Sequence, residues 1–208
     1  MWREPVACIV DPHAGGMSGH TGRYEKRLSD LGELYANVQA HTALMAQLGD
    51  PVVYAVEDFR PGSHGGDLNF GTTHMSPGRV DQEFFLTRGH IHAKADRPEI
   101  YYGQSGHGLM QMESPDGQTR IVDIRPQTIC YVPPFWIHRT INVGRTDLVV
   151  VFAYPSDSGQ DYRIIEMSNG MRKRVVSDGD GDGWRLVDNT SYKPRTAEDV
   201  AALMKDYV

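Results

Sequence analysis

The chain has 208 residues, 39% of them apolar, and a formal net charge of -6, so it is long enough to bury one sizeable core and too acidic to read as a general nucleic-acid binder. No run approaches the roughly 20 apolar residues that a membrane-spanning helix needs. Cys8 and Cys130 are the only cysteines and lie far apart, which supports neither a disulfide framework nor a thiolate zinc site.

Met1 to Val10 is followed by Asp11, Pro12 and a Gly-rich stretch rather than an apolar secretory core, so a cytoplasmic protein is expected. Residues 22–48 carry Leu28, Leu31, Leu34, Tyr35 and Val38 at intervals near three and four and predict one or two amphipathic helices. The chain then changes character. Short β-branched or aromatic stretches at 51–56, 68–75, 83–86, 100–102, 108–113, 119–124, 128–132, 139–143 and 148–154 alternate with turn signals such as Pro61-Gly62, Pro77-Gly78 and Pro115-Asp116-Gly117. Strands at this spacing, with no intervening helices, predict an all-β sandwich or barrel. Residues 172–187 predict a hairpin and residues 196–208 a short helix capped by Thr196, both outside the barrel. The expected division is therefore one domain, with a barrel core at 51–162, an N-terminal extension at 1–50 and a C-terminal hairpin and helix at 163–208. The alternating Asp-Gly run at 178–183 imitates the start of a calcium loop, but the twelfth position is Asn189 rather than Glu, which favours a tight turn.

The chemistry is concentrated in Thr87-Arg-Gly-His-Ile-His92, Glu99 and His138. On a strand, residues two apart face the same way, so His90 and His92 project together, roughly 6–7 Å apart along the chain. Glu99 opens the next strand with Tyr101 on its face, and His138 follows Tyr131-Val-Pro-Pro-Phe-Trp136. Three imidazoles and a carboxylate without thiolate suit a hard-to-borderline divalent ion: Fe, Mn, Zn, Ni or Co. A bare His-X-His pair is more often a surface or satisfied core pair; the later Glu, the strand-rich setting and His138-X3-Asn142 change that balance.

These features resemble the cupin superfamily, a double-stranded β-helix or jelly-roll barrel that holds a metal in its mouth. Within it, the residues 83–94, Arg97-Pro-Glu-Ile-Tyr101, residues 131–140, Tyr154-Pro155 and Asp161-Tyr162 are similar to the cupin-type phosphoglucose isomerases. The resemblance implies metal-dependent interconversion of glucose 6-phosphate and fructose 6-phosphate by a homodimer. It implies one divalent ion per subunit, iron foremost, on His90, His92, Glu99 and His138, with Glu99 also the catalytic base. It implies a substrate cage of Tyr54, Thr73, Thr87, Gly89, Tyr101, Tyr154, Gln160 and Tyr162, although Tyr101, Tyr154 or Tyr162 taken alone reads more readily as barrel filling, a balance that the placing of Tyr101 beside Glu99 reverses. Backbone N–H groups and hydroxyls can hold a phosphate without a basic patch. Two positions depart from the family pattern: Gln160 stands where a His is usual and Gln127 where a Gly is usual, the latter a matter of turn geometry. A cupin dioxygenase and a non-catalytic sugar-phosphate-binding module are the alternative readings of the same ligand set.

Overall fold

The computed structural model describes residues 4–64, 66–179 and 183–205. After an N-terminal segment come β1 (Gly22–Arg27), a 3-10 helix (Leu28–Leu34) and α1 (Val38–Leu48). Strands β2 (Val52–Phe59), β3 (Leu68–Met75), β4 (Arg79–Val80), β5 (Glu83–Phe84), β6 (Glu99–Ser105), β7 (Gly108–Glu113), β8 (Thr119–Ile124), β9 (Ile129–Val132), β10 (Ile137–Asn142) and β11 (Leu148–Pro155) follow. The chain continues through α2 (Arg163–Met167), β12 (Lys173–Ser177), β13 (Trp184–Asp188) and α3 (Ala197–Met204).

All strand pairings are antiparallel. A six-stranded sheet runs β1-β2-β3-β11-β6-β9, a three-stranded sheet β10-β7-β8, and a four-stranded sheet β13-β12-β5-β4. β11 returns between β3 and β6, far from both in sequence, and this non-sequential return gives the jelly-roll character of a cupin barrel. Met75, Leu109, Met110 and Leu148 are fully buried in the main core, each worth about 1.5–3 kcal/mol of burial. A smaller cluster of Ile91, Ile137, Ile164, Ile165 and Met171 lies behind the histidine segment, with Leu203 of α3 against it.

The expected helix at residues 22–48 holds only in part. α1 is capped by Asn37, whose side chain accepts from the Ala40 amide at 2.9 Å, and ends at Gly49 in the left-handed region. Leu28 and Leu31, three apart, form the buried edge of the 3-10 helix, which repeats every three residues. Residues 22–27 are instead a strand. No apolar period reaches back beyond Leu28, and the free edge of β2 takes up the backbone of β1 from Gly22 opposite Asp58 to Arg27 opposite Val52. The C-terminal hairpin is present, Lys173 opposite Asp188 to Ser177 opposite Trp184, and β12 joins β5 at Val176 and Glu83. The expected tight turn falls on residues 180–182, outside the described residues. α3 has its Thr196 cap, the Thr196 hydroxyl accepting from the Asp199 amide at 3.1 Å, while 206–208 lie outside the described residues. α2 has no counterpart in the sequence reading.

Gly71 faces inward where β3 crosses between Asp58 and Phe152. A Cβ there would stand 2.3 Å from the Glu57 carbonyl oxygen and 2.9 Å from the Asp58 Cα, both backbone atoms. Gly71→Ala is therefore expected to destabilise the fold by about 1–3 kcal/mol through overpacking. A urea midpoint equal to the parent's would mean that the sheet yields at this crossing.

Candidate metal centre and substrate cavity

His90 and His138 exchange reciprocal backbone hydrogen bonds of 3.1 and 2.9 Å, and Ile91 does the same with Asp161 on the opposite side. The His-X-His segment is thus extended but held by isolated bridges, not by the continuous strand expected. Its alternation survives: His90 and His92 turn to the barrel mouth with ring centres 5.5 Å apart, while Ile91 enters the small apolar cluster. His138 comes from β10, its ring centre 4.5 Å from that of His90, and Glu99 from the first position of β6. One potential ligand atom from each of the four residues lies within 4.8 Å of the others.

The donor set fits a divalent ion. His92 Nδ1–H donates to the Arg97 carbonyl at 2.7 Å and His138 Nδ1–H to the Trp136 carbonyl at 3.1 Å, which leaves the Nε2 lone pairs aimed inward. Glu99 Oε2 lies 3.0 Å from His138 Nε2 and 3.2 Å from His92 Nε2, whereas His90 Nε2 is buried with no hydrogen-bond partner. Burial opposes the Glu99 charge, yet the close approach of His138 and His92 to its carboxylate and the nearby His90 imidazole outweigh it and take the pKa down to about 2. Burial likewise holds His90 neutral, well below the ordinary imidazole range, with His138 adding to the effect. The loop before His138 is strained to its task. Phe135 takes a left-handed φ of 69°, its amide donating to the Ala95 carbonyl at 2.6 Å.

All eight residues expected in the substrate cage, namely Tyr54, Thr73, Thr87, Gly89, Tyr101, Tyr154, Gln160 and Tyr162, line one cavity, onto which His90 and Glu99 open. Gly89 has a φ of 79°, and a Cβ there would come within 3.1 Å of Arg139. Thr87 Oγ1 accepts from the Thr140 amide at 3.0 Å, tying the histidine segment to β10. Tyr101 is buried beside Glu99, and both burial and that charge drive its hydroxyl pKa well above the ordinary value. Tyr162 donates to the Gln160 side-chain oxygen and carries the Arg88 guanidinium 5.3 Å above its ring. The cavity also has a lining that the sequence reading missed: Tyr24, Asp58, Arg60 and Arg88. Arg60 lies 2.6 Å from Asp58, and Arg88 2.9 and 2.8 Å from Glu33 and Glu166. Two arginines thus border a cavity expected to rely on hydroxyls and backbone alone. Arg88 lay in plain view inside Thr87-Arg-Gly-His90; Tyr24 was hidden by the helical assignment of its strand, and Arg60 carried no signal.

Asp157 accepts from Lys94 Nζ at 2.8 Å and from Arg97 Nε and Nη2 at 3.0 Å, pinning the loop whose Arg97 carbonyl orients His92. Asp157→Asn should weaken metal retention roughly tenfold, the scale for loss of a group that supports a ligand. Metal content after graded dialysis against chelator gives the comparison; retention equal to the parent's would detach this loop from the metal centre.

The barrel and its mouth have the architecture of a cupin, with three histidines and a glutamate grouped closely enough to hold a metal ion. The sequence profile of the glucose-6-phosphate isomerase family matches residues 25–193, and the chain belongs to that family. It is 56% identical over 200 residues to a glucose-6-phosphate isomerase of Sinorhizobium medicae, covering 96% of this chain and 93% of that one. It is 40% identical over 192 residues to a glucose-6-phosphate isomerase of Thermococcus onnurineus, covering 92% and 98%. An oxalate oxidase structure in complex with glycolate is a partial match, with a TM-score of 0.45 and 18% identity over 53% of this chain and 55% of that one.

Proposed function

We propose that this chain interconverts glucose 6-phosphate and fructose 6-phosphate as a metal-dependent aldose-ketose isomerase. The observation that carries the proposal is the joining of two parts: an imidazole-carboxylate cluster fit for a divalent ion, and a cavity rich in hydroxyls with two arginines at its border. His90, His92, Glu99 and His138 would hold one ion per subunit, with iron as first candidate and elemental analysis of the purified protein as its check. When bound, such an ion supplies Lewis-acid polarisation of the sugar's C1 and C2 oxygens. Thr73, Thr87, Tyr54 and the Gly89 backbone grip the phosphate, while Tyr101, Tyr154 and Tyr162 meet the sugar hydroxyls. Gln160, engaged by Tyr162, keeps a hydrogen-bonding role but cannot titrate.

Glu99 is the residue able to move hydrogen between C2 and C1, taking the C2 proton to leave a cis-enediolate and returning it at C1. The electrostatics of the cluster support a second route, hydride passing directly from one carbon to the other: the surrounding imidazoles hold the Glu99 carboxyl below the usual carboxylate range, and a neighbouring cation lowers it further, which weakens it as a base. A coupled assay of fructose 6-phosphate conversion tests the whole reading. Activity should vanish with chelator and return with metal, and Glu99→Gln should cost roughly 10²–10⁴ in turnover on the proton route while some metal remains bound. Thr73→Val should raise KM about tenfold or more at unchanged metal content, the scale of one hydrogen bond to a charged group. Equal turnover of fructose and its 6-phosphate would sink the phosphate assignment. Deuterium from solvent on the product carbon would identify the proton route.

The assembly we infer is a homodimer in the cytoplasm. Ile100 faces Tyr131 and Tyr102 faces Ile129 on the outer surface of β6 and the edge strand β9, and all four side chains are exposed, Ile129 by 71%. Such a patch on an open sheet edge suits self-association. Both cysteines are free, in keeping with a reducing compartment, and no helix among the described residues is long and apolar enough to cross a membrane. Light scattering should give twice the chain mass, and Ile129→Lys with Tyr131→Lys should give one; a monomeric parent would refute the dimer.

A further inference from the structure

A second cavity, of about 350 Å³, lies behind β10, bordered by the 3-10 helix, α2 and β12. β10 serves both cavities by simple alternation. His138 faces the histidine-glutamate cluster and Thr140 the substrate cavity, and Arg139 between them turns to the second one. Every other charged side chain that lines this space has a partner. Arg88 is paired with Glu33 and Glu166, Arg174 with Glu83 at 2.6 Å, and Lys173 with Asp188 at 2.7 Å. The buried carboxylates nearby are also committed: Glu83 accepts from the Ala36 amide as well as Arg174, and Glu113 from Arg195 and the Arg172 amide.

Arg139 is different. It is only 6% exposed, and its Nε and Nη2 are buried without a hydrogen-bond partner; the Tyr35 hydroxyl, on the same cavity wall, is buried and unpartnered too. The Gln111 amide opposite Arg139 on β7 is already spent on the Lys173 carbonyl at 2.7 Å. A buried guanidinium with idle donors is costly to keep in a fold unless something completes it. Its planar fork matches a carboxylate or phosphate by paired hydrogen bonds, and the volume falls in the small-ligand range.

We propose that this cavity is a second binding site, separate from the sugar cavity, for a compact anion bearing a carboxylate or phosphate group. Arg139 supplies two N–H donors and Tyr35 a third. The site sits where a ligand would be felt by the reaction centre: Arg139 follows His138 in the chain and packs against Gly89, and Arg88 and Tyr162 line both cavities.

Calorimetric titration of the metal-loaded enzyme with inorganic phosphate, and separately with succinate, tests the site. The parent should show a binding event that Arg139→Met weakens at least tenfold and that Thr73→Val, in the substrate cavity, leaves intact. Arg139→Met should also melt above the parent without anion, because an unmatched buried charge has gone. Tyr35→Phe, which removes a hydroxyl and no charge, should weaken the same event severalfold and stands in if Arg139→Met does not fold. A response to succinate alone assigns a carboxylate ligand, and a response to phosphate alone a phosphate ligand. Binding that is weakened only by Thr73→Val, or no binding beyond the substrate cavity, overturns the proposal. Loss of isomerase activity is read separately in the coupled assay, so a failure of the isomerase reading is not confused with a failure of this one.

Discussion

Two backbone hydrogen bonds between His90 and His138 govern the geometry of the whole mouth of this barrel. An antiparallel pair that exchanges both N–H···O bonds sets its Cα atoms about 5.5 Å apart with side chains on the same face. Two imidazoles from residues 48 positions apart in sequence are thereby brought to one point. The alternation of the extended chain then turns His92 the same way and sends Ile91 into the apolar cluster that backs the segment. Thr87 adds a third tie to β10 through the Thr140 amide. Glu99 needs no such device, because it opens β6 opposite Val132, beside the loop that leads to His138.

The electrostatic consequences follow from that convergence. A carboxylate and three imidazoles buried together are tolerable when the acid is ionised and its neighbours donate to it or share a cation. Each part of the support is local and identifiable: the Arg97 and Trp136 carbonyls fix two ring tautomers, Asp157 fixes the Arg97 loop, and the left-handed Phe135 sets the Pro-Pro-Phe-Trp turn. Two ring nitrogens of the cluster, His90 Nε2 and His92 Nε2, are buried without a hydrogen-bond partner, as donors to an ion would be.

What the sequence disclosed depended on whether side-chain pattern or backbone partner decided the structure. Apart from the two-residue β4, the strands from β2 to β11 were readable because β-branched and aromatic runs and turn residues agree there, and β3, β7 and β8 fall on the stretches read at 68–75, 108–113 and 119–124. β1 was not. Gly22 to Arg27 has no apolar alternation, and its strand state comes from a free sheet edge that no local pattern announces. That miss carried a second one, since Tyr24 enters the substrate cavity only because the segment is a strand. The Gln127 departure was legible as a matter of turn geometry, and the residue indeed adopts a φ of 73°, a conformation glycine takes at lower cost. The ligand set rested on a motif of several parts, so its residues could be named together; Arg60 stands outside that motif and was invisible.

The arginines of the cavity resolve an apparent conflict between an acidic chain and an anionic substrate. With a net charge of -6 the molecule offers no general attraction to phosphate, and neither Arg60 nor Arg88 forms an open basic patch. Each is held by carboxylates, Arg60 by the buried Asp58 and Arg88 by Glu33 and Glu166 on two different elements. Held in this way, an arginine gives up long-range attraction and gains a fixed direction, which suits the isomerase site proposed above, where C1 and C2 would have to be placed rather than anions merely collected. Arg88 reaches this arrangement through the 3-10 helix and α2, the two elements that also border the second cavity. The position of the Arg88 side chain over Tyr162 therefore depends on structure outside the barrel, and the segments on either side of the barrel contribute to the substrate cavity as well as to the core.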